Sequence, residues 1–268
     1  MSIPAAILLA VVQGLTEFLP VSSSGHLAIA RHFLPGFHEP GVLYEIVLHL
    51  GTLGAVLIYF RYELRMLFEG LWPGPDGVAG RRLGALVALG TVPAVIVALA
   101  FGDWVEASFD RLIVVGLALC VTGALLLTSS YFRSGTRELT ELRVRDALVV
   151  GALQSMALVP GISRSGSTIV AGLSQGVAPV AAARFSFLLS IPAILGAAVF
   201  NFKDITLVAE EAMLGYVVGF LTSFVVGYFA IGAVVRLMVA KRFHWFGYYC
   251  LGMGGVVFVY VYFAIGLA

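Results

Sequence analysis

Apolar residues run along this chain in blocks of about twenty, the length an α-helix needs to cross the hydrocarbon core of a bilayer. Six blocks are uninterrupted: 42–61, 84–102, 112–131, 182–201, 213–236 and 245–267. Two more, 3–32 and 147–176, are broken near the middle by proline, glycine and serine, at Pro20 to Gly25 in the first and Pro160 to Gly166 in the second. Neither half of a broken block is long enough to span alone. The pattern predicts six transmembrane helices and two re-entrant helical hairpins, each returning to the side from which it entered. Unwound backbone at that depth must be buried in protein or line a wet cavity, because lipid offers it no hydrogen-bond partner.

Charge between the blocks orients them. Loops 61–83 (Arg61, Arg65, Arg81, Arg82), 132–146 (Arg133, Arg137, Arg143, Arg145) and 236–244 (Arg236, Lys241, Arg242) are basic. Loop 103–110 carries Asp103, Glu106 and Asp110, and loop 202–212 sets Asp204, Glu210 and Glu211 against Lys203. The alternation assigns the basic loops to the cytoplasm and both termini to the outside. The first hairpin then enters from the outer face and the second from the cytoplasmic face, so their tips meet near the midplane. The expected fold is an all-α integral membrane protein, one membrane domain over 1–268, whose halves 1–131 and 145–268 form an inverted-topology repeat. A shift of 141 residues lays Gln13 on Gln154, Ser22 on Ser163, Ser24 on Ser165 and Gly25 on Gly166. A competing match, LGTVPAVIVALAF (89–101) with LLSIPAILGAAVF (188–200), joins spans that run in the same direction and is read as shared helix composition.

Composition agrees. Of 268 residues, 60% are hydrophobic and only 12% charged, against roughly a quarter charged in an average soluble chain. A net charge of +1 gives no reason to expect nucleic acid as a partner. Cys120 and Cys250 lie in apolar runs and read as packing residues. The N-terminal run lacks a basic leader and an A-x-A site, so it is not read as a cleaved signal peptide. Trp72, Trp104 and Trp245, near span ends, read as interfacial anchors, and Arg184 as a snorkelling one.

The two tips carry the chemistry. In QGLTEFLPVSSSGHL, Gln13 and Glu17 are four apart and share a helix face. Pro20 stops that helix, Ser22, Ser23 or Ser24 can cap the next, and His26 lies one turn in. PGISRSGSTI repeats the plan: Pro160 and Gly161 break the chain, Ser163 or Ser165 caps, and Arg164 and Thr168 are a turn apart. Helix N-termini suit an anion, and a guanidinium fork matches phosphate oxygens. Serines alone would be ordinary packing residues in a membrane. Ionisable groups near the midplane cost about several kcal/mol, so Glu17, His26 and Arg164 are expected to face one another, as an anion site or as a purely architectural ion pair. Glu45 and His49 share a face of the 42–61 span, suited equally to supporting that site and to joining helices.

These two blocks closely resemble those of the bacterial undecaprenyl-diphosphate phosphatase family, the bacitracin-resistance type. Gln13, Glu17, Ser22, Ser23, Gly25 and His26 match its first block, and Pro160, Gly161, Ser163, Arg164, Ser165, Gly166 and Thr168 its second. The likeness is collinear along the whole chain, including RFSFLLSIPA (184–193). It implies removal of the terminal phosphate from a C55 polyprenyl diphosphate, with a divalent cation, Mg²⁺ or Ca²⁺, as cofactor. Glu17, with Gln13, would hold the metal or act as base. Arg164 and the half-helix amides, around Ser22, Ser24, Gly25 and Gly166, would bind phosphoryl oxygens with help from Ser163, Ser165 and Thr168. Ser23 is the candidate nucleophile, activated by Glu17 or His26, and His26 as nucleophile or general acid competes with it.

The resemblance further implies a bacterial inner membrane location and a lipid partner, and the entry of the first hairpin from the outer face implies a site open to the periplasmic or outer side; a homodimer is compatible with the sequence. The rival function is a carrier for an anion or a polyprenyl phosphate, since inverted hairpins meeting at midplane are a transporter architecture. A second membrane phosphatase superfamily also carries Ser-Gly-His, but it requires a further histidine shortly after a Ser-Arg pair, where this chain reads SGSTIVAG. A non-catalytic structural subunit would leave the buried charges unexplained.

Overall fold

The computed structural model describes residues 2–33, 43–75, 77–132, 135–200 and 213–266. The expected acidic loop 202–212 and Arg133 lie outside them. The described chain is helical: α1 (Ile3–Phe18), α2 (Ser23–Phe33), α3 (Leu43–Tyr59), α4 (Arg61–Glu69), α5 (Val78–Ser108), α6 (Leu112–Thr128), α7 (Val144–Met156), α8 (Arg164–Ser174), α9 (Pro179–Phe200), α10 (Met213–Val239) and α11 (Trp245–Gly266), with short 3-10 turns at Ser129–Tyr131 and Leu139–Glu141. Five are long and apolar enough to cross a membrane: α5, α6 with the turn that continues it, α9, α10 and α11. A sixth crossing exists if α3 and α4, bent by 78° at Phe60, count as one.

The two interrupted blocks fold as helix pairs too short to span, α1 with α2 and α7 with α8. Ser2 caps α1, its hydroxyl accepting from the Ala5 amide, and Leu19, in extended conformation ahead of Pro20, ends it. Two expected loops contain helix. Within 61–83, α4 keeps Leu64, Met66 and Leu67 against the core while Tyr62 and Phe68 stay exposed. The acidic stretch 103–108 continues α5 past a break at Phe101 (φ −131°, ψ 18°). Apolar length marks a hydrocarbon crossing, whereas a helix continues wherever its backbone bonds can form, so the two boundaries differ.

Side-chain contacts fix which ends lie together. Tyr44 at the start of α3 donates to the Ala6 carbonyl at the start of α1 (2.7 Å), and Arg31 near the end of α2 pairs with Glu45 (3.1 Å). The first pair thus enters and leaves at the end of the bundle where α3 begins. Arg137 makes a forked bond to Asp146 at the start of α7 (2.5 and 3.1 Å) and also donates to the Gln175 carbonyl just past α8. One guanidinium therefore ties both ends of the second pair. That end is where α3 finishes: Arg184, early in α9, lies 3.5 Å from Glu63 of α4, and Phe187 packs on Phe60. The two pairs penetrate the bundle from opposite ends.

Close backbone approach holds the longer helices. A Cβ added at Gly123 of α6 would meet the Gly247 carbonyl of α11 at 2.8 Å, and one at Gly254 would meet the Gly116 carbonyl at the same distance. Small residues allow this packing where lipid supplies no hydrophobic drive between helices. Elsewhere, α1 and α3 pack on α10, with Phe18 against Gly227.

Asp146 offers a test of the clamp. Burial alone would push its carboxyl up, but the Arg137 fork and the Arg143 amide outweigh it and hold it below the ordinary value of 3.8. The stabilisation is therefore complete above that value and is lost as pH falls through the lower folded one. Asp146→Asn should cost about 2 kcal/mol, the scale of a hydrogen bond to a charged group, read as a lower melting temperature in detergent at pH 7. It should also flatten the dependence of melting on pH below about 4.

Candidate active site at the meeting of two broken helices

Each tip is built by the same local device. Ser22 has φ +70°, a left-handed conformation that turns the chain sharply after Pro20, and its hydroxyl accepts from the Gly25 amide (3.3 Å) to cap α2. Ser163 caps α8, its hydroxyl accepting from the Gly166 amide (3.1 Å). The serine two positions on completes the likeness: Ser22 and Ser24 hydroxyls lie 3.3 Å apart, and those of Ser163 and Ser165 3.2 Å apart. The correspondence at a shift of 141 residues thus has a physical counterpart. Gly161 (φ +100°) makes the second turn, and Thr122 of α6 holds it, donating to the Gly161 carbonyl (2.8 Å) and accepting from the Ser163 amide (3.0 Å).

The tips touch. The Gly161 amide donates to the Ser22 hydroxyl (3.1 Å), and Ser165 donates to the Leu19 carbonyl (3.3 Å). A Cβ on Gly25 would lie 2.9 Å from Gly161 Cα, and one on Gly166 would lie 3.3 Å from Pro20 Cβ. The N-termini of α2 and α8 are thereby brought to one place. Their first-turn amides have no preceding helical carbonyl to serve.

Glu17 lies at the centre, only 6% exposed. Its Oε1 accepts from Arg164 Nη2 (2.7 Å). Its Oε2 accepts from the Ser23 hydroxyl (2.7 Å) and from Gln13 Nε2 (3.1 Å), with His49 Nε2 at 3.5 Å. Arg164 is steadied from α9, where the Ser186 carbonyl accepts from its Nη1 (3.2 Å), and the Ser186 and Thr168 hydroxyls are 2.6 Å apart. Two of the five guanidinium N–H groups are so engaged, and the remainder can meet an anion. Thr168 also donates to the Arg164 carbonyl (2.7 Å), so its hydroxyl braces α8.

The sequence matches the family described as bacitracin resistance protein BacA over residues 6–256. The chain belongs to the BacA family. Curated relatives include proteins named undecaprenyl-diphosphatase from Syntrophotalea carbinolica, 44% identical with 96% of this chain and 98% of the relative covered, and from Mycobacterium ulcerans, 42% identical with 94% of each covered. A third so named, from Alkaliphilus metalliredigens, is 40% identical over 95% of this chain and 97% of its own.

Of the residues shared with the BacA motifs, Gln13, Glu17, Ser23 and Arg164 form one connected cluster. Ser22, Ser24, Gly25, Ser163, Ser165 and Gly166 form the tips that support it. His26 takes another direction: Nδ1 bonds the Ser22 carbonyl (2.8 Å) and Nε2 the Tyr249 hydroxyl of α11 (2.7 Å). The imidazole beside Glu17 is that of His49. The i, i+4 spacing with Glu45 placed His49 on a polar face but could not say which neighbour it meets; Glu45 itself pairs with Arg31. Thr122, Ser186 and Tyr249 carry no local signal, since each becomes relevant only through helix packing.

A hard divalent cation takes oxygen ligands and, for Mg²⁺, accepts one or two carboxylates with substrate phosphates and water completing its shell. The residues fit that mode. Gln13 Oε1 is buried without a hydrogen-bond partner among the described residues, on the amide whose nitrogen touches Glu17. No group of three or more His, Cys, Asp or Glu gathers among the described residues to form an all-protein cage.

Gly25→Ala tests the contact between tips. Its Cβ would strike the Gly161 backbone, so a loss of about 1–3 kcal/mol in stability and a clear fall in activity are expected. Gly252→Ala, which meets nothing within 4 Å, should stay within about 0.5 kcal/mol of the parent.

Proposed function

We propose that this protein hydrolyses undecaprenyl diphosphate to undecaprenyl phosphate and inorganic phosphate, recycling the lipid carrier of cell-wall synthesis. Family membership and the names of its relatives support this, and one observation carries it: a carboxylate bonded to a serine hydroxyl and to a guanidinium, between two helix N-termini. Anhydride cleavage requires those parts, a nucleophile with a base and fixed positive groups for the phosphoryl oxygens. In this reading Ser23 Oγ attacks the terminal phosphorus as its proton passes to Glu17. The bridging P–O bond breaks, and the lipid monophosphate leaves with that proton. Water, deprotonated by Glu17, then attacks the phosphoserine, releasing inorganic phosphate and restoring Ser23. Arg164 and the first-turn amides of α2 and α8 that the Ser22 and Ser163 caps leave untaken hold the phosphoryl oxygens throughout. Glu17 and Gln13 Oε1 would hold a divalent cation, Mg²⁺ or Ca²⁺, which supplies further neutralisation of the diphosphate when bound.

The finer architecture belongs to the same reading. We take α1–α2 and α7–α8 as re-entrant hairpins in halves 1–131 and 145–268 of an inverted repeat. Their penetration from opposite ends supports it, as does the α6–α11 crossing, where Gly116 faces Gly254 and Gly123 faces Gly247, a pattern a two-fold axis maps onto itself. With the basic loops in the cytoplasm of a bacterial inner membrane, the first hairpin and its site open outward.

Purified protein in detergent, with no gradient, should release phosphate from undecaprenyl diphosphate; a pure carrier would release none. Ser23→Ala, Glu17→Ala and Arg164→Ala should each lower the rate by about a thousand-fold, the scale on which losing a group that meets developing charge is felt. Full activity in any of them would remove the site as drawn. A chelator should suppress release and Mg²⁺ or Ca²⁺ restore it. For sidedness, Ser24→Cys should react with an impermeant thiol reagent added outside; labelling only from the cytoplasm would reverse the orientation.

A further inference from the structure

His26 and Tyr249 form a pair that neither the sequence motifs nor the cluster around Glu17 accounts for. Tyr249 belongs to the last helix, far from both motifs in sequence, yet its hydroxyl reaches the buried imidazole of His26 at 2.7 Å, with ring planes within 10° of each other. The chemistry of the partners fixes the proton. A carbonyl oxygen only accepts, so the Nδ1 that bonds the Ser22 carbonyl must carry hydrogen. The Nε2 of a neutral ring is then a lone pair, and the Tyr249 O–H donates to it. A hydrogen bond at one ring nitrogen selects the state of the other.

The grip is on an unusual residue. Ser22 is one of two non-glycine residues with positive φ among those described, a conformation that persists only where neighbours over-determine it. Its carbonyl takes both the His26 amide (3.1 Å) and the His26 ring (2.8 Å), while its hydroxyl takes the amides of Gly25 and Gly161. Ser23 follows directly, and its hydroxyl meets Glu17. A chain of contacts therefore runs from Tyr249 through His26 and Ser22 to the serine that touches Glu17.

We propose that Tyr249 is a positioning residue for the phosphatase reaction: it fixes the tautomer and orientation of His26, which clamps the left-handed turn at Ser22 and so aims Ser23 at Glu17. The inference rests on the hydrolytic reading of the site and assigns His26 a mechanical part in it. A group that aims the nucleophile affects the chemical step rather than substrate affinity.

Tyr249→Phe removes one hydroxyl and keeps the ring. It should lower kcat for phosphate release by about ten-fold, with KM within about two-fold, the signature of an interaction lost in the transition state. A changed KM with unchanged kcat would mean that the hydroxyl serves substrate binding, and would overturn the proposal. His26→Asn, whose amide N–H can stand in for Nδ1–H, should keep about ten-fold more activity than His26→Gln, whose amide is placed like Nε2. In the His26→Asn background Tyr249→Phe should have no further effect; an undiminished effect there would show that Tyr249 does not act through His26. Independently of turnover, ¹⁵N spectra of histidine-labelled protein should show His26 neutral with hydrogen on Nδ1, and an Nε2–H form would overturn the proposal. If the unsubstituted protein releases no phosphate, the hydrolytic reading fails and this proposal falls with it; if it releases phosphate and Tyr249→Phe leaves both kcat and KM unchanged, this proposal alone is overturned.

Discussion

Glu17 and Arg164 sit 2.7 Å apart, and neither could be where it is without the other. A carboxylate or a guanidinium inside an apolar helical bundle loses its hydration, and removing one partner of such a pair strands the other at a cost of about 3–5 kcal/mol. The pair joins residues of two helices, α1 and α8, that enter the fold from opposite ends. Holding it together means that both chains must turn back at the same depth, and the proline, glycine and serine of each tip answer that requirement. The groups that neutralise one another in the resting protein are also those a diphosphate would need: a base beside a hydroxyl and a cation with N–H groups to spare.

From this the rest of the site follows. Two chain reversals inside a bundle expose backbone groups that lipid cannot satisfy, and here they satisfy each other through the Ser22 hydroxyl, the Gly161 amide and the Leu19 carbonyl. Contact this close excludes side chains, which explains why Gly25 and Gly161 face each other. The surrounding helices act as braces. Thr122 holds one tip from α6, Ser186 holds Arg164 from α9, and Tyr249 reaches His26 from α11. The result is a polar centre carried on rigid elements, with one tip under strain at Ser22.

The apolar blocks and their two interruptions were legible in the sequence because hydrocarbon thickness dictates helix length and because Pro20 and Pro160 stand among glycines and serines, unlike Pro93 and Pro192, which α5 and α9 carry through. A serine cap at each tip followed from the same pattern, though not which serine. The meeting of Glu17 with Arg164 was legible too, since isolated charges had to find partners; His26, expected to join them, bonds Tyr249 instead. What was not legible depends on packing between helices distant in sequence. Nothing local distinguishes Ser186 or Thr122 from other hydroxyls in apolar helices, and His49 could be placed on a face but not against a neighbour. His26 illustrates the limit well. The motif put an imidazole near the serines, but only the approach of α11 turns its ring toward Tyr249. The helix boundaries of α4 and α5 were missed because they extend beyond the apolar stretch used to find them.

The central claim is that the two broken helices meet tip to tip. An added Cβ at Gly166 would lie 3.3 Å from Pro20 Cβ, near the roughly 3.5–4.5 Å that a disulfide spans. The direct measurement is therefore oxidative cross-linking of a Pro20→Cys, Gly166→Cys double variant in native membranes, with Cys120 and Cys250 replaced by alanine. We predict an intramolecular disulfide detected by mass spectrometry of the linked peptides. Two free thiols after oxidation, in a protein whose single-cysteine variants both fold, would contradict the account.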